Sequence, residues 1–150
     1  MNQKELDQIE IDQTQIDILN DVTQTLIDSY EGYKICLEDM EEGYALRSHF
    51  SRRAASRSQL ISEFQTAVRD LGGEPVTKGS VSGAAHRGWT KLTALFQDDE
   101  KAARQAVDDG ERFLAERINE QLRDPGLTPN TQVLLRNAYA SATKGGVRTD

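Results

Sequence analysis

Two side chains in this sequence stand out because each interrupts an apolar stripe. Arg57 falls within Phe50, Ala54, Arg57, Ile61, Phe64, Val68 and Leu71, a series whose every other member is apolar. Glu111 falls at the boundary of a second series, Ala103, Val107, Gly110 or Glu111 itself, Leu114, Ile118 and Leu122. A buried guanidinium costs several kcal/mol unless acceptors or an anion satisfy it. Arg57 therefore either meets a carboxylate inside the protein or reaches water after a small rotation of its stripe. Metal chemistry asks for more. A carboxylate-bridged pair of metal ions in a helix bundle takes a Glu from each of two helices and Glu-x-x-His from each of the other two. The chain has two histidines, His49 and His86, and no Glu-x-x-His.

Other reactive groups read more simply. Cys36 is the single cysteine; with no histidine motif nearby it is expected to pack as a small hydrophobe rather than act as a nucleophile. Gly79-Ser80-Val81-Ser82-Gly83 lacks the Gly-Lys-Ser/Thr ending of a phosphate-binding loop. In His86-Arg87-Gly88-Trp89, His86 and Arg87 have the charge to hold an anion at a helix start, but docking is the simpler reading. There Trp89 inserts between helices, His86 or Arg87 caps or pairs with acids, and Gly83 and Gly88 permit close approach. Ser51-Arg52-Arg53 and Arg57 form a small basic cluster in an acidic protein, for which a solvated face is the simpler reading.

A length of 150 residues suits one domain with a real core. The formal net charge of -7 argues against a nucleic-acid or anionic-membrane partner. No apolar run approaches the roughly 20 residues of a membrane span. Residues 1–7 lack the apolar centre of a signal peptide. A single cysteine allows no internal disulfide, so a reducing, cytoplasmic location is expected.

The elements that must position these groups are helices. Residues 1–15, rich in Gln, Asp and Glu, are expected to form a flexible or loosely docked segment, with helical extension of the next element as the alternative. The bundle itself covers residues 16–150. Its first helix runs from about Ile16 to about Met40 on the seam Leu19, Val22, Leu26, Tyr30, Tyr33, Leu37 and Met40. Gly32, mid-helix, points to a close neighbour: a backbone, a ring or a bound group. Gly43 is expected to stop this helix. The second follows from about Tyr44 to about Leu71, antiparallel because the connection is short. A crossover of about residues 72–97 carries its own helix on Val81, Ala85, Gly88, Trp89, Leu92 and Phe96. The third bundle helix starts at Asp98-Asp99-Glu100, where acids suit the macrodipole, and runs to about Leu122. Thr128-Pro129 opens the fourth, which Lys144-Gly145-Gly146 ends. The fold class is thus all-α: four helices in two antiparallel hairpins, with an extra helix in the crossover.

Leu71-Gly72-Gly73-Glu74-Pro75, Gly79-Ser80-Val81-Ser82-Gly83-Ala84-Ala85-His86-Arg87-Gly88-Trp89 and Gly110-Glu111 carry a resemblance. Together they are similar to a bacterial family of ferritin-like four-helix-bundle proteins of unknown function, over about Leu19 to Tyr139. The resemblance implies a ferritin-like topology, and related bundles often hold two metal ions at mid-core. Of the acids expected for such a centre, Glu31 and Glu111 remain, with Asp108 or Glu63 as an auxiliary. The inward place beside Glu31 is taken by Tyr30. The matching level of the second helix holds residues 56–59 without a carboxylate. Arg136 and Gly146 stand where an acid and a histidine are common.

Two functions follow as expectations. In the first, Tyr30, Arg57, Glu31 and Glu111 form a salt-bridged core in place of a degenerate metal site. The protein is then non-catalytic, stress-associated or involved in assembly, acts through its surface, pairs as a homodimer through helix faces, and needs no cofactor or small-molecule substrate. In the second, Glu31 and Glu111 hold iron or another divalent metal in a di-iron-type or oxidase-like bundle. The missing histidines favour the first.

Overall fold

The computed structural model describes residues 1–40, 45–80 and 83–144, the side chains of residues 39, 84–86 and 144 excepted. The stops expected at Gly43 and at Gly145-Gly146, the start at Tyr44, and the seam position Val81 lie outside the described residues. Those described form an all-α protein of five helices: α1 (Gln3–Asp39), α2 (Ala45–Asp70), α3 (Gly83–Asp98), α4 (Glu100–Leu122) and α5 (Pro129–Lys144).

α1 departs from expectation at its start. Residues 3–15 are helical and continue without a break into the bundle helix. Asn2 caps the first turn by accepting the amide N–H of Glu5 at 2.9 Å. Beyond it, amide groups donate to carboxylates one turn ahead: Gln3 to Asp7, Gln8 to Asp12 and Gln13 to Asp17, at 2.8, 2.9 and 2.8 Å. Such local pairs support a helix that no core supports, and residues 1–10 are all exposed. The bundle begins at Gln15. Its side chain is fully buried, donates to Gly126 O at 2.8 Å and accepts from Thr128 N at 3.0 Å, clamping α1 to the turn between α4 and α5.

α1 and α2 make one hairpin, and α4 and α5 another. At 16 residues each, α3 and α5 are far shorter than the 37-residue α1. Neither can cover its length, so they divide it. Leu135, Ala138 and Ala142 of α5 close a core with Leu19, Val22, Leu26, Leu60, Phe64, Val68, Leu114 and Ile118. Leu92 of α3 closes a second core with Tyr33, Cys36, Phe50, Ala54, Ala103 and Val107, against which Trp89, Leu95 and Phe96 pack.

The crossover reaches the second core by running along α1. Gly72 turns the chain at a φ of 84°, a conformation that suits glycine. Asn20 then holds the strand-like segment, donating to Glu74 O and accepting from Val76 N, each at 3.0 Å. Asp28 accepts Ser80 N at 2.8 Å just ahead of α3. α3 docks through Trp89, whose ring lies against Gly32: a Cβ built on Gly32 would fall 1.8 Å from Trp89 Cε2. The ring also sits 5.5 Å from that of Tyr33. Asp99 alone separates α3 from α4 and caps α4 by accepting Ala102 N at 3.1 Å.

Candidate functional site

Between the two apolar cores lies a layer of polar groups. α2 carries Arg53 and Arg57 one turn apart, so both face the interior. α1 carries Ser29 and Tyr33 at the same spacing, α4 brings Glu111, and α5 ends there with the carbonyl of Ser141. Arg57 is wholly buried, Arg53 and Glu111 are nearly so, and Tyr33 is fully enclosed.

The guanidinium of Arg57 forks onto Glu111. Its Nη1 donates to Oε1 at 3.0 Å, and its Nη2 donates to Oε2. The same two nitrogens donate to Ser29 Oγ at 3.1 Å and to Ser141 O at 3.3 Å. Glu111 Oε1 also accepts the Tyr33 hydroxyl at 2.8 Å. That hydroxyl accepts Arg53 Nη1 at 2.6 Å, and Arg53 Nη1 lies 3.6 Å from Glu111 Oε2. Both guanidiniums also lie against the Tyr33 ring, 5.7 Å from its centroid for Arg53 and 5.9 Å for Arg57. A planar fork suits a carboxylate, and in a low-dielectric interior such charge-assisted bonds are strong and short.

Electrostatics keeps the phenol neutral. Burial pushes the Tyr33 pKa well up, and the Glu111 carboxylate pushes it further; Arg53 and Arg57 pull the other way without cancelling the rise. Tyr33 therefore serves as a hydroxyl that relays between Arg53 and Glu111.

The structure brings Arg57 and Glu111 together but not the other two residues expected beside them. Glu31 is exposed, so it is neither a ligand partner for Glu111 nor part of the buried network. Tyr30 is half-buried beneath Lys34, whose Nζ lies 5.5 Å from its ring centroid. Successive helix positions are separated by about 100°. The face of α1 that meets α4 is that of Ser29 and Tyr33, and residues 30 and 31 turn away from it. Arg136 and Asp108 are exposed, and Glu63 is half-buried. At the docking stretch, Trp89 is seated, Arg87 is exposed and the His86 side chain lies outside the described residues. Cys36 is buried and accepts the Thr93 hydroxyl at 3.7 Å.

The basic cluster proves to be two environments. Arg52 is exposed beside His49, 3.0 Å from its Nδ1, whereas Arg53 points inward. The His49 pKa is lowered by desolvation first, then by Arg52, Arg53 and Arg104. Of the missed members of the site, Arg53, Tyr33 and Ser29, only Arg53 had a readable signal: it stands one turn from Arg57 on the same helix.

A di-metal centre does not fit this donor set. Both oxygens of Glu111 accept from Arg57, one accepts from Tyr33 as well, and a second guanidinium stands behind. A metal ion would have to displace these donors against two like charges. Among the described residues no group of three or more His, Cys, Asp and Glu side chains could hold one.

The fold and this layer define a helical-bundle protein whose interior is crossed by an arginine–glutamate ion pair. Residues 14–124 match the model of the domain of unknown function DUF2383, and the chain belongs to that family. No curated protein and no solved structure matches it.

Proposed function

We propose that this chain is a non-catalytic, ferritin-like helical bundle in which a buried ion pair stands where relatives of that topology hold metal, and that it acts through its surface. The fork of Arg57 on both oxygens of Glu111 carries the reading. It gives Glu111 the charge partner that a cation otherwise supplies, and it ties α2 to α4 across the bundle. Tyr33 and Ser29 extend the tie to α1, and Ser141 extends it to α5. A carboxylate metal centre on Glu31 and Glu111 finds no support, because one of the two residues is buried and the other faces water.

The test is elemental analysis by mass spectrometry of protein purified without a histidine tag. Far less than one metal ion per chain is expected; stoichiometric iron, manganese or zinc would overturn the reading. A cytoplasmic stress-associated or assembly role, exercised as a homodimer through helix faces, goes with it. Light scattering behind size exclusion checks the dimer, and a monomer at high concentration would remove that part.

A further inference from the structure

The interior glycines of the helices fall into two kinds. Gly32 is explained by packing, because the Trp89 ring occupies the place of its Cβ. Gly88 in α3 and Gly110 in α4 are not, since a Cβ on either would meet nothing within 4 Å. Glycine is a poor helix former, and here it relieves no clash within the chain. Both residues line one cleft of about 460 Å³ between α1, α3 and α4, a volume within the usual range for small-molecule sites.

The walls of the cleft differ in chemistry. α3 and α4 offer Trp89, Leu92, Leu114 and Phe113, the last 56 % exposed, with the guanidinium of Arg117, itself paired with Asp21, 5.9 Å from its ring centroid. α1 offers Thr25, Asp28 and Ser29. Among the described residues no lysine or arginine lines the cleft. Glu111 closes the inner end with its charge already matched by Arg57, which leaves the half-buried Asp28 as the charge at the site. Aromatic faces beside a carboxylate favour a cation over an anion of the same shape.

We propose that this cleft binds a small organic cation with a flat apolar body, seated over the bare backbone at Gly88 and Gly110, with its charged end toward Asp28. The proposal uses the Arg57–Glu111 pair only to leave Asp28 as the charge at the cleft; it does not depend on the protein being non-catalytic or metal-free.

Trp89 is the single tryptophan, so its indole N–H resonance reports on the cleft directly. The full-length protein is titrated with naphthylmethylammonium and, separately, with naphthylacetate. The ammonium is expected to shift the resonance saturably and to bind about tenfold more tightly than the acetate. Gly110→Leu fills the cleft from a position with open space, and should abolish the shift while leaving the helical circular dichroism unchanged. Gly88→Leu does the same from the other wall if the first variant misfolds. Asp28→Asn keeps the acceptor for Ser80 N and should bring the two probes to parity. Equal or tighter binding of the acetate, no saturable shift with either probe, or unchanged binding in folded Gly110→Leu would each overturn the proposal. So would a dimer that Gly110→Leu dissociates, because the cleft would then belong to a second copy of the chain.

Discussion

Arg57 and Glu111 depend on each other. Replacing one leaves the other charged in an interior it cannot leave, so Arg57→Met is expected to destabilise the protein by about 3–5 kcal/mol in urea denaturation. Arg57→Met combined with Glu111→Leu removes both charges and should recover most of that loss. A double variant as unstable as the sum of the singles would show that the pair is not coupled. Tyr33 adds a pH dependence. Its folded pKa is raised above the ordinary tyrosine value of 10.0. Above that value the unfolded chain releases a proton that the folded chain retains. The contribution of Tyr33 is therefore complete below about pH 10 and is lost as the pH rises further. Stability should fall as the pH rises above about 10 in the wild type, and less steeply in Tyr33→Phe. Arg57 and Glu111 were legible in the sequence because a charge within an apolar stripe is conspicuous. Tyr33 was not, since a phenol passes for a core aromatic. Arg53 was hidden by its exposed neighbour Arg52, although it stands one turn from Arg57.

Helices are the next scale, and here contact with a single ring decides one position. Gly32→Ala would ordinarily favour a helix by about 1 kcal/mol. Against Trp89 it is expected instead to destabilise by about 1–3 kcal/mol, as overpacking does. Trp89→Leu should cost less in the Gly32→Ala background than in the wild type, which a double-mutant cycle by thermal denaturation would show. Gly32 was readable as a close approach, but the identity of the neighbour was not, because Trp89 is distant in sequence. The starts of α4 and α5 were legible from Asp99 and Pro129, whose chemistry is local. The start of α1 was not. Its support comes from side-chain pairs such as Gln8 with Asp12 rather than from apolar periodicity, and composition alone resembles that of an unstructured segment.

For the whole molecule, the division of α1 between two cores sets what is dispensable. Residues 1–10 touch neither core, so removing residues 2–10 is expected to change stability by no more than about 0.5 kcal/mol. A larger loss in thermal unfolding would mean that the projecting helix is anchored. Gln15 marks the other side of the boundary, since it is buried against the turn of the second hairpin. An all-α fold with a helical crossover could be read from periodicity. The sharing of one long helix between α3 and α5 could not, because it depends on helix lengths relative to one another rather than on any local pattern.

The junction at Asp99 has a mechanical consequence. The one-residue link is hydrogen-bonded into both helices, Asp99 N donating to Leu95 O at 2.7 Å and its carboxylate accepting Ala102 N at 3.1 Å, so a swing of α3 against α4 would break bonds as well as turn torsions. Whatever shifts the Trp89 ring must therefore also be felt by the helix that carries Glu111.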